Sequence, residues 1–303
     1  MQAINQKYFK LLLFLIAMKN ILFYKYAGID DVDSFRKNQA ELCSSLSLLG
    51  TVLIAQEGIN GCLSGSDGEI DRYKRSFLDD ERFSDMQFKE GIVTQHTFRK
   101  LKVNIKKEIV AFRHEVDLRN AAPYVEPREL KKLLGSKEEL ILVDARNRYE
   151  TKIGKFENAV TLPIRTFRQL PGKLDSIKDL KGKKIVTYCT GGVRCEKASA
   201  FLKENGFNEV YQLHGGILNY GKECGNAHWQ GKCFVFDTRA AIDIDPNNKS
   251  EPISQCILCR SPSADYHNCA LTSCDKRFIA CESCLKILED CCSKDCRNNF
   301  VHN

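Results

Sequence analysis

The stretch IVTYCTGGVRCEKASAFL, Ile185–Leu202, joins an apolar, β-branched run to a helix-like run through a glycine-containing turn. A short buried strand that passes by a tight turn into a helix is the building unit of a parallel sheet covered by helices. Three further runs, ELILVDA, AVTLP and EVYQL, lie between Pro123 and Phe236 and have the same apolar, strand-forming character. Residues 123–236 are therefore expected to form an α/β domain, with helices on both faces of a parallel sheet.

Cys189 ends the strand of this stretch, Thr190 to Val193 form the turn, and Arg194 opens the helix. Open α/β sheets place ligands just beyond the carboxyl ends of their strands. Unpaired N–H groups of such a turn, together with the helix dipole, favour a thiolate over a thiol. Arg194 adds a permanent positive charge, and Gly191 and Gly192 let the backbone approach closely. Cys189 and Arg194 are the candidate catalytic residues, with Thr190, Gly191, Gly192 and Val193 as an anion cradle. A cysteine that merely ends a buried strand is the plain alternative, but it leaves the glycine pair and the arginine without a purpose. Cysteine phosphatases place one more residue between cysteine and arginine, so the shorter loop suits a terminal sulfur better than a tetrahedral phosphate. Cys195 is either a resolving thiol for Cys189 or a small residue packed in the first helical turn; spacing does not separate the two.

Residues 18–118 carry a different pattern. ILFYKY and TVLIAQ read as strands, and EGINGCLSG as a glycine-bounded turn and strand. DVDSFRKNQAELCSSLSLL reads as a helix opened by aspartates, and SDGEIDRYKRSFLDD as one with a Ser or Asp cap. With KLKVNIKKEIV as the last strand, the order is β-α-β-β-α-β, a ferredoxin-like α+β sandwich whose helices cover one sheet face. That last strand places Lys100, Lys102 and Lys106 on one face, with Arg99 and Lys107 nearby. A basic face suits phosphate contact; a lysine-guarded edge strand would look the same. The formal net charge of +7 permits a polyanionic partner without requiring one. Ahead of this domain, LLLFLIAM at 11–18 is too short to span a bilayer and no small-x-small cleavage site follows it. Residues 1–17 are expected to be an N-terminal extension of a cytoplasmic chain without a membrane segment.

The last section, residues 250–303, follows the polar linker DIDPNNKSEP and holds nine of the 15 cysteines. Two CxxC pairs, Cys256/Cys259 and Cys281/Cys284, lie about twenty residues apart, a spacing that suits one tetrahedral zinc ion. Cys269, Cys274, Cys291, Cys292, Cys296 and His267 offer ligands for a second site. Structural zinc is expected here rather than disulfides, because an enzyme domain of the central type implies a reducing compartment.

Three segments, LVDARNRYETKIGKFENAVTLP, YCTGGVRCEKAS and LHGGILNY, resemble the marker segments of a rhodanese domain, in order and at suitable spacing. In that family the cysteine matching Cys189 carries a persulfide. Gly154-Lys155 stands where many rhodaneses have Gly-His. Together with YKYAGIDD, LIAQEGINGCLSGS, FRKLKVNIKKEIV, GKCFVFDTR and the cysteine tail, the ordered set resembles bacterial tRNA uridine-34 hydroxylases from Met18 to Cys296. The resemblance points to Met18 as the family-like start. It implies oxygen-dependent conversion of wobble uridine 34 to 5-hydroxyuridine by an activated loop cysteine. It also implies dioxygen as co-substrate and the tRNA anticodon loop as partner, with the electron donor left open, and it favours RNA contact for Arg99, Lys100, Lys102 and Lys106. Two chemistries remain open for Cys189 on this reading: a thiolate that adds to uracil C6, and a persulfide. The rhodanese loop taken alone would instead imply a sulfurtransferase carrying sulfur on Cys189.

Overall fold

The computed structural model describes residues 18–274 and 276–301, so the expected extension over residues 1–17 lies outside the described residues. The chain divides into two compact units between Phe112 and Arg113.

The first unit is built on β1 (Met18–Tyr26), β2 (Leu49–Ala55), β3 (Gly58–Ser66), β4 (Phe88–Val93) and β5 (Leu101–Ile105). They form a five-stranded sheet in the order β4-β1-β3-β2-β5. The first four strands are antiparallel to their neighbours, as in a ferredoxin-like sandwich, and β5 adds to the edge parallel to β2. Alternation explains the core: Ile21, Phe23, Ile59 and Leu63 point to one face and are fully buried, together with Ile70 and Tyr73. Ile70 and Tyr73 come from α2 (Asp67–Arg75), while α1 (Val32–Ser45) joins β1 to β2. Both helices start where the sequence places them. Asp31 accepts the Ser34 N–H at 3.0 Å, and Ser66 and Glu69 form a reciprocal capping box.

The expected last strand is corrected in one respect. The strand beside β1 is Phe88–Val93, which the sequence pattern did not single out, and KLKVNIKKEIV supplies only the added edge strand β5. Phe88–Val93 has a weak signal because Ile92 is 86 % exposed and charged Lys89 and Glu90 precede Gly91. It is drawn into the sheet by Phe88, which lies opposite Phe23 with ring centroids 5.4 Å apart.

The second unit contains β6 (Tyr124–Val125), β7 (Ile141–Asp144), β8 (Gly154–Phe156), β9 (Val160–Thr161), β10 (Ile185–Tyr188) and β11 (Val210–Leu213). Five of these make a parallel sheet in the order β6-β11-β10-β7-β9. The four runs read from the sequence are β7, β9, β10 and β11. β10 is central and buried along its whole length. The helices that follow the site-bearing turns are α3 (Pro127–Leu134), α4 (Arg148–Thr151), α5 (Val193–Glu204) and α6 (Gly216–Cys224). At the end of β7, fully buried Arg146 donates through Nε and Nη2 to both oxygens of the Asp144 carboxylate, and Nη2 also donates, at 2.7 Å, to the Gly154 carbonyl. Its guanidinium also lies over the Tyr188 and Trp229 rings. The same unit continues through β12 (Trp229–Gly231), β13 (Cys233–Phe234) and β14 (Ala241–Ile242) to the cysteine-rich tail. The tail holds the hairpin β15 (Tyr266–Asn268) and β16 (Arg277–Ile279), then α7 (Glu282–Ile287) and α8 (Lys294–Val301). Among the described residues no helix is long and apolar enough to cross a membrane.

The capping box is a direct test of how α2 is started. Ser66→Ala is expected to cost the first unit about 1 kcal/mol in chemical denaturation and Ser66→Gly only a few tenths. Equal losses would show that the cap contributes nothing beyond backbone conformation.

Candidate functional site

Cys189 follows β10 directly, and α5 begins at Val193, one residue earlier than the sequence suggests. The intervening turn closes with Gly192 at φ 106°, a conformation that favours glycine. Its N–H donates to the Cys189 sulfur at 3.1 Å. A second glycine closes the loop from outside: Gly216, at φ 67°, lies so near the loop that a Cβ would sit 2.5 Å from the Cys189 carbonyl oxygen. From the same turn Ile217 and Leu218 donate their N–H groups to the carbonyls of Cys189 and Thr190, at 2.9 and 3.1 Å. The marker segment LHGGILNY thus buttresses the reactive turn through backbone contacts.

Cys189 is fully buried, and burial alone would push its thiol up. The hydrogen bond from the Cys195 thiol, the charge of Arg194 and the backbone N–H groups of Arg194 and Gly192 reverse that effect, bringing it down to about 5. Cys195 responds in the opposite sense: burial, and its hydrogen bond to an anionic neighbour, keep it a thiol. The surroundings thus favour the thiolate at Cys189 and the thiol at Cys195.

Arg194 is buried and its fork is occupied. Its two terminal nitrogens donate to the Glu150 carboxylate at 2.7 and 2.8 Å, and one of them also reaches Thr190 Oγ1 at 3.2 Å. Glu150 accepts a further hydrogen bond from the Asn147 N–H at 3.1 Å. Arg194 acts on Cys189 through its nearby charge and its backbone, with its side chain fixed by Glu150. Glu150 was missed in the sequence reading. The local signal in NRYETK, an acid three residues after an asparagine, marks only a helix start. On the outer side, the Arg194 guanidinium lies 5.9 Å from the ring centre of Phe236, which is 57 % exposed. Thr190 and Gly191 complete the turn and are buried, and Val193, which opens α5, is half-buried.

The other expected site residues lie elsewhere. Lys102 is exposed on β5, and Arg99, Lys100 and Lys106 are exposed at its two ends. The backbone N–H of Lys106 continues the ladder to the Ile54 carbonyl at 2.8 Å. In the tail, Cys256, Cys259, Cys281 and Cys284 bring their four sulfurs within 4.8 Å of one another, a group that can hold a metal ion. The sulfurs of Cys259 and Cys281 are 3.6 Å apart. Tetrahedral zinc with bonds of about 2.3 Å has sulfur–sulfur edges near 3.8 Å, so the donor set fits that ion.

A cysteine cradle at the end of the central strand of a parallel sheet, beside a carboxylate-held arginine, defines a rhodanese-type domain. Residues 126–223 match the rhodanese-like domain, residues 18–109 the UPF0176 acylphosphatase like domain, and residues 230–297 the family described as rhodanase C-terminal. Over 286 residues the chain is 43 % identical to the tRNA uridine(34) hydroxylase of Onion yellows phytoplasma, covering 92 % of each chain. It is 40 % identical over 279 residues to that of Cytophaga hutchinsonii, covering 91 % of this chain and 89 % of the relative. The chain belongs to the tRNA uridine(34) hydroxylase family.

The electrostatics of the turn are open to measurement. Alkylation of Cys189 by iodoacetamide, followed site by site by mass spectrometry, should be nearly independent of pH between about 6.5 and 9, because the thiolate already predominates there. Buried Cys43, which burial pushes up to about 12, should react only as pH rises. In Arg194→Met the Cys189 profile should climb with pH, since the charge that held the thiol down is gone. Glu150→Ala leaves Arg194 buried and unpaired and is expected to cost about 3–5 kcal/mol in urea denaturation.

Proposed function

We propose that this chain hydroxylates uridine 34 of tRNA to 5-hydroxyuridine with dioxygen, in the cytoplasm, and that Cys189 is the residue that activates the uracil ring. Family membership supports the substrate; what supports the chemistry is a buried cysteine that accepts the Gly192 N–H beside the fixed charge of Arg194, which together favour its thiolate. Uracil C5 reacts poorly with dioxygen until the ring is made electron-rich. Addition of the Cys189 sulfur to C6 moves the ring electron pair to C5 as an enolate, splitting one hard step into easier ones. The loop amides and the charge of Arg194 stabilise the anionic species. C5 then takes up dioxygen as a hydroperoxide, and loss of the C5 proton with expulsion of the sulfur from C6 restores the double bond.

Reduction of that hydroperoxide needs two electrons and two protons. Cys189 attacks the outer oxygen, becoming a sulfenic acid and leaving the 5-oxygen on the ring. Cys195 condenses with the sulfenic acid, releasing water and forming a disulfide. Uridine, dioxygen and two thiols thus give 5-hydroxyuridine, water and one disulfide, and an external thiol reductant resets the pair. This assigns Cys195 as the resolving thiol. The exposed ring of Phe236 beside Arg194 offers a stacking surface for a base, and the first zinc site, on Cys256, Cys259, Cys281 and Cys284, is structural. The anticodon loop is the expected partner, with Arg99, Lys100, Lys102 and Lys106 contacting phosphates.

Purified protein, unmodified tRNA, air and dithiothreitol should yield 5-hydroxyuridine by nucleoside mass spectrometry, with the new oxygen drawn from labelled dioxygen. Cys189→Ala should abolish the product. Cys195→Ser should accumulate a dimedone-reactive sulfenic acid on Cys189. Full hydroxylation by Cys189→Ala, or altered thiouridine with normal hydroxyuridine in cells lacking the gene, would sink this reading, the latter in favour of a sulfurtransferase. Separately, Lys100→Glu/Lys102→Glu should weaken tRNA binding about tenfold or more near 0.1 M salt and lower the salt slope by roughly 2. Unchanged binding by a folded variant would remove the phosphate role.

A further inference from the structure

We infer that the tail holds a second zinc ion, on Cys269, Cys274, Cys292 and Cys296, and that the two metal sites are cross-braced. The four sulfurs lie within 4.8 Å of one another. Cys274 and Cys292 are 3.7 Å apart, and Cys292 and Cys296 3.6 Å, close to the edge of a zinc–thiolate tetrahedron at about 3.8 Å and far from a disulfide bond at about 2.05 Å. The Cys292 N–H donates to the Cys269 sulfur at 3.4 Å, as amides do around metal-bound thiolates. The other two residues that the sequence offered are excluded: Cys291 lies outside the sulfur group, and the His267 ring is placed 3.3 Å from the Ala280 carbonyl.

The order of ligands along the chain carries the second half of the inference. Cys256 and Cys259 belong to the first site, Cys269 and Cys274 to the second, Cys281 and Cys284 to the first, and Cys292 and Cys296 to the second. Each site therefore closes a loop that contains half of the other. The hairpin β15–β16 sits between them: β15 runs directly into Cys269, and β16 is followed within two residues by Cys281. A metal at one site alone leaves half of this bracing open. The apolar content of the module shows why both are needed. Its buried cluster consists of Cys256, Cys269, Phe278, Ala280, Cys284, Cys291 and Cys292, with Ile257, Leu271 and Leu285 half-buried against it, and Leu288 is also buried, so its large apolar side chains are few. A cluster of that size does not hold a segment of about fifty residues without staples. Zinc is the metal that a set of four thiolates in a reducing compartment favours.

The second site is independent of the first-site reading, on which the cross-brace rests, and stoichiometry separates them. Full-length protein purified under reducing conditions should carry two zinc ions per chain by elemental analysis, and native mass spectrometry during stepwise chelation should show losses of one ion and then the other. Cys274→Ser/Cys296→Ser should keep one ion, and Cys256→Ser/Cys259→Ser should keep the other. One ion in the wild type, kept by Cys274→Ser/Cys296→Ser, overturns the second site and leaves the first. One ion in the wild type, kept by Cys256→Ser/Cys259→Ser, overturns the cross-brace but upholds the second site. No zinc, with Cys274 and Cys292 joined as a disulfide, overturns both. The native mass series on unaltered protein gives the count even where a variant fails to fold.

Discussion

The second unit is organised around a charge that has to be buried. A thiolate at Cys189 is tolerated in a dry site only because Arg194 lies beside it, and Arg194 is itself tolerated because Glu150 takes both ends of its fork. Ionised groups this deep are costly unless every partner is in place. The cluster is therefore assembled by the fold as one piece, from β10, α4 and α5, rather than by a flexible loop closing on a ligand. A second buried pair, Asp144 with Arg146, secures the neighbouring end of β7 and ties it to Gly154. Together these pairs leave the reactive turn little freedom, which is what a preorganised anion site requires.

The turn that supplies Glu150 is also where the tail meets the domain. Tyr149 packs edge-on against Phe234 with centroids 5.2 Å apart, Tyr266 of β15 lies 5.5 Å from Phe234, and Arg277 of β16 sits 5.3 Å from the Tyr149 ring. The hairpin braced by the two sulfur groups thus presses on the residue next to the one that fixes Arg194. The cysteine groups of the tail and the turn at Cys189 are connected by packed side chains within a single unit.

Much of this was legible as pattern, and the misses share a cause. Cys189, its glycines and Arg194 could be read because a strand, a tight turn and a helix start are local features. The CxxC spacing was legible for the same reason. Glu150 was not, because its partner lies 44 residues away and nothing local distinguishes an inward-facing carboxylate from a solvated one. Phe88–Val93 was overlooked because its polar, glycine-containing run becomes a strand only through Phe88 meeting Phe23 across the sheet. Spacing alone could not relate Cys195 to Cys189; in the fold both are fully buried and their thiols shift in opposite directions.

By itself the sequence determined which segments could be strands or helices, that a cysteine and a glycine turn close one of them, and that the last fifty or so residues are rich in thiols at ligand spacing. Those conclusions rest on short-range chemistry: backbone conformation, side-chain periodicity and ligand spacing. Tertiary structure alone decided which charges meet, which cysteine donates to which, and how eight thiols sort into two interleaved groups of four. Such pairings depend on long-range register and on burial, which set the strength of an electrostatic interaction and exist only once the chain has folded.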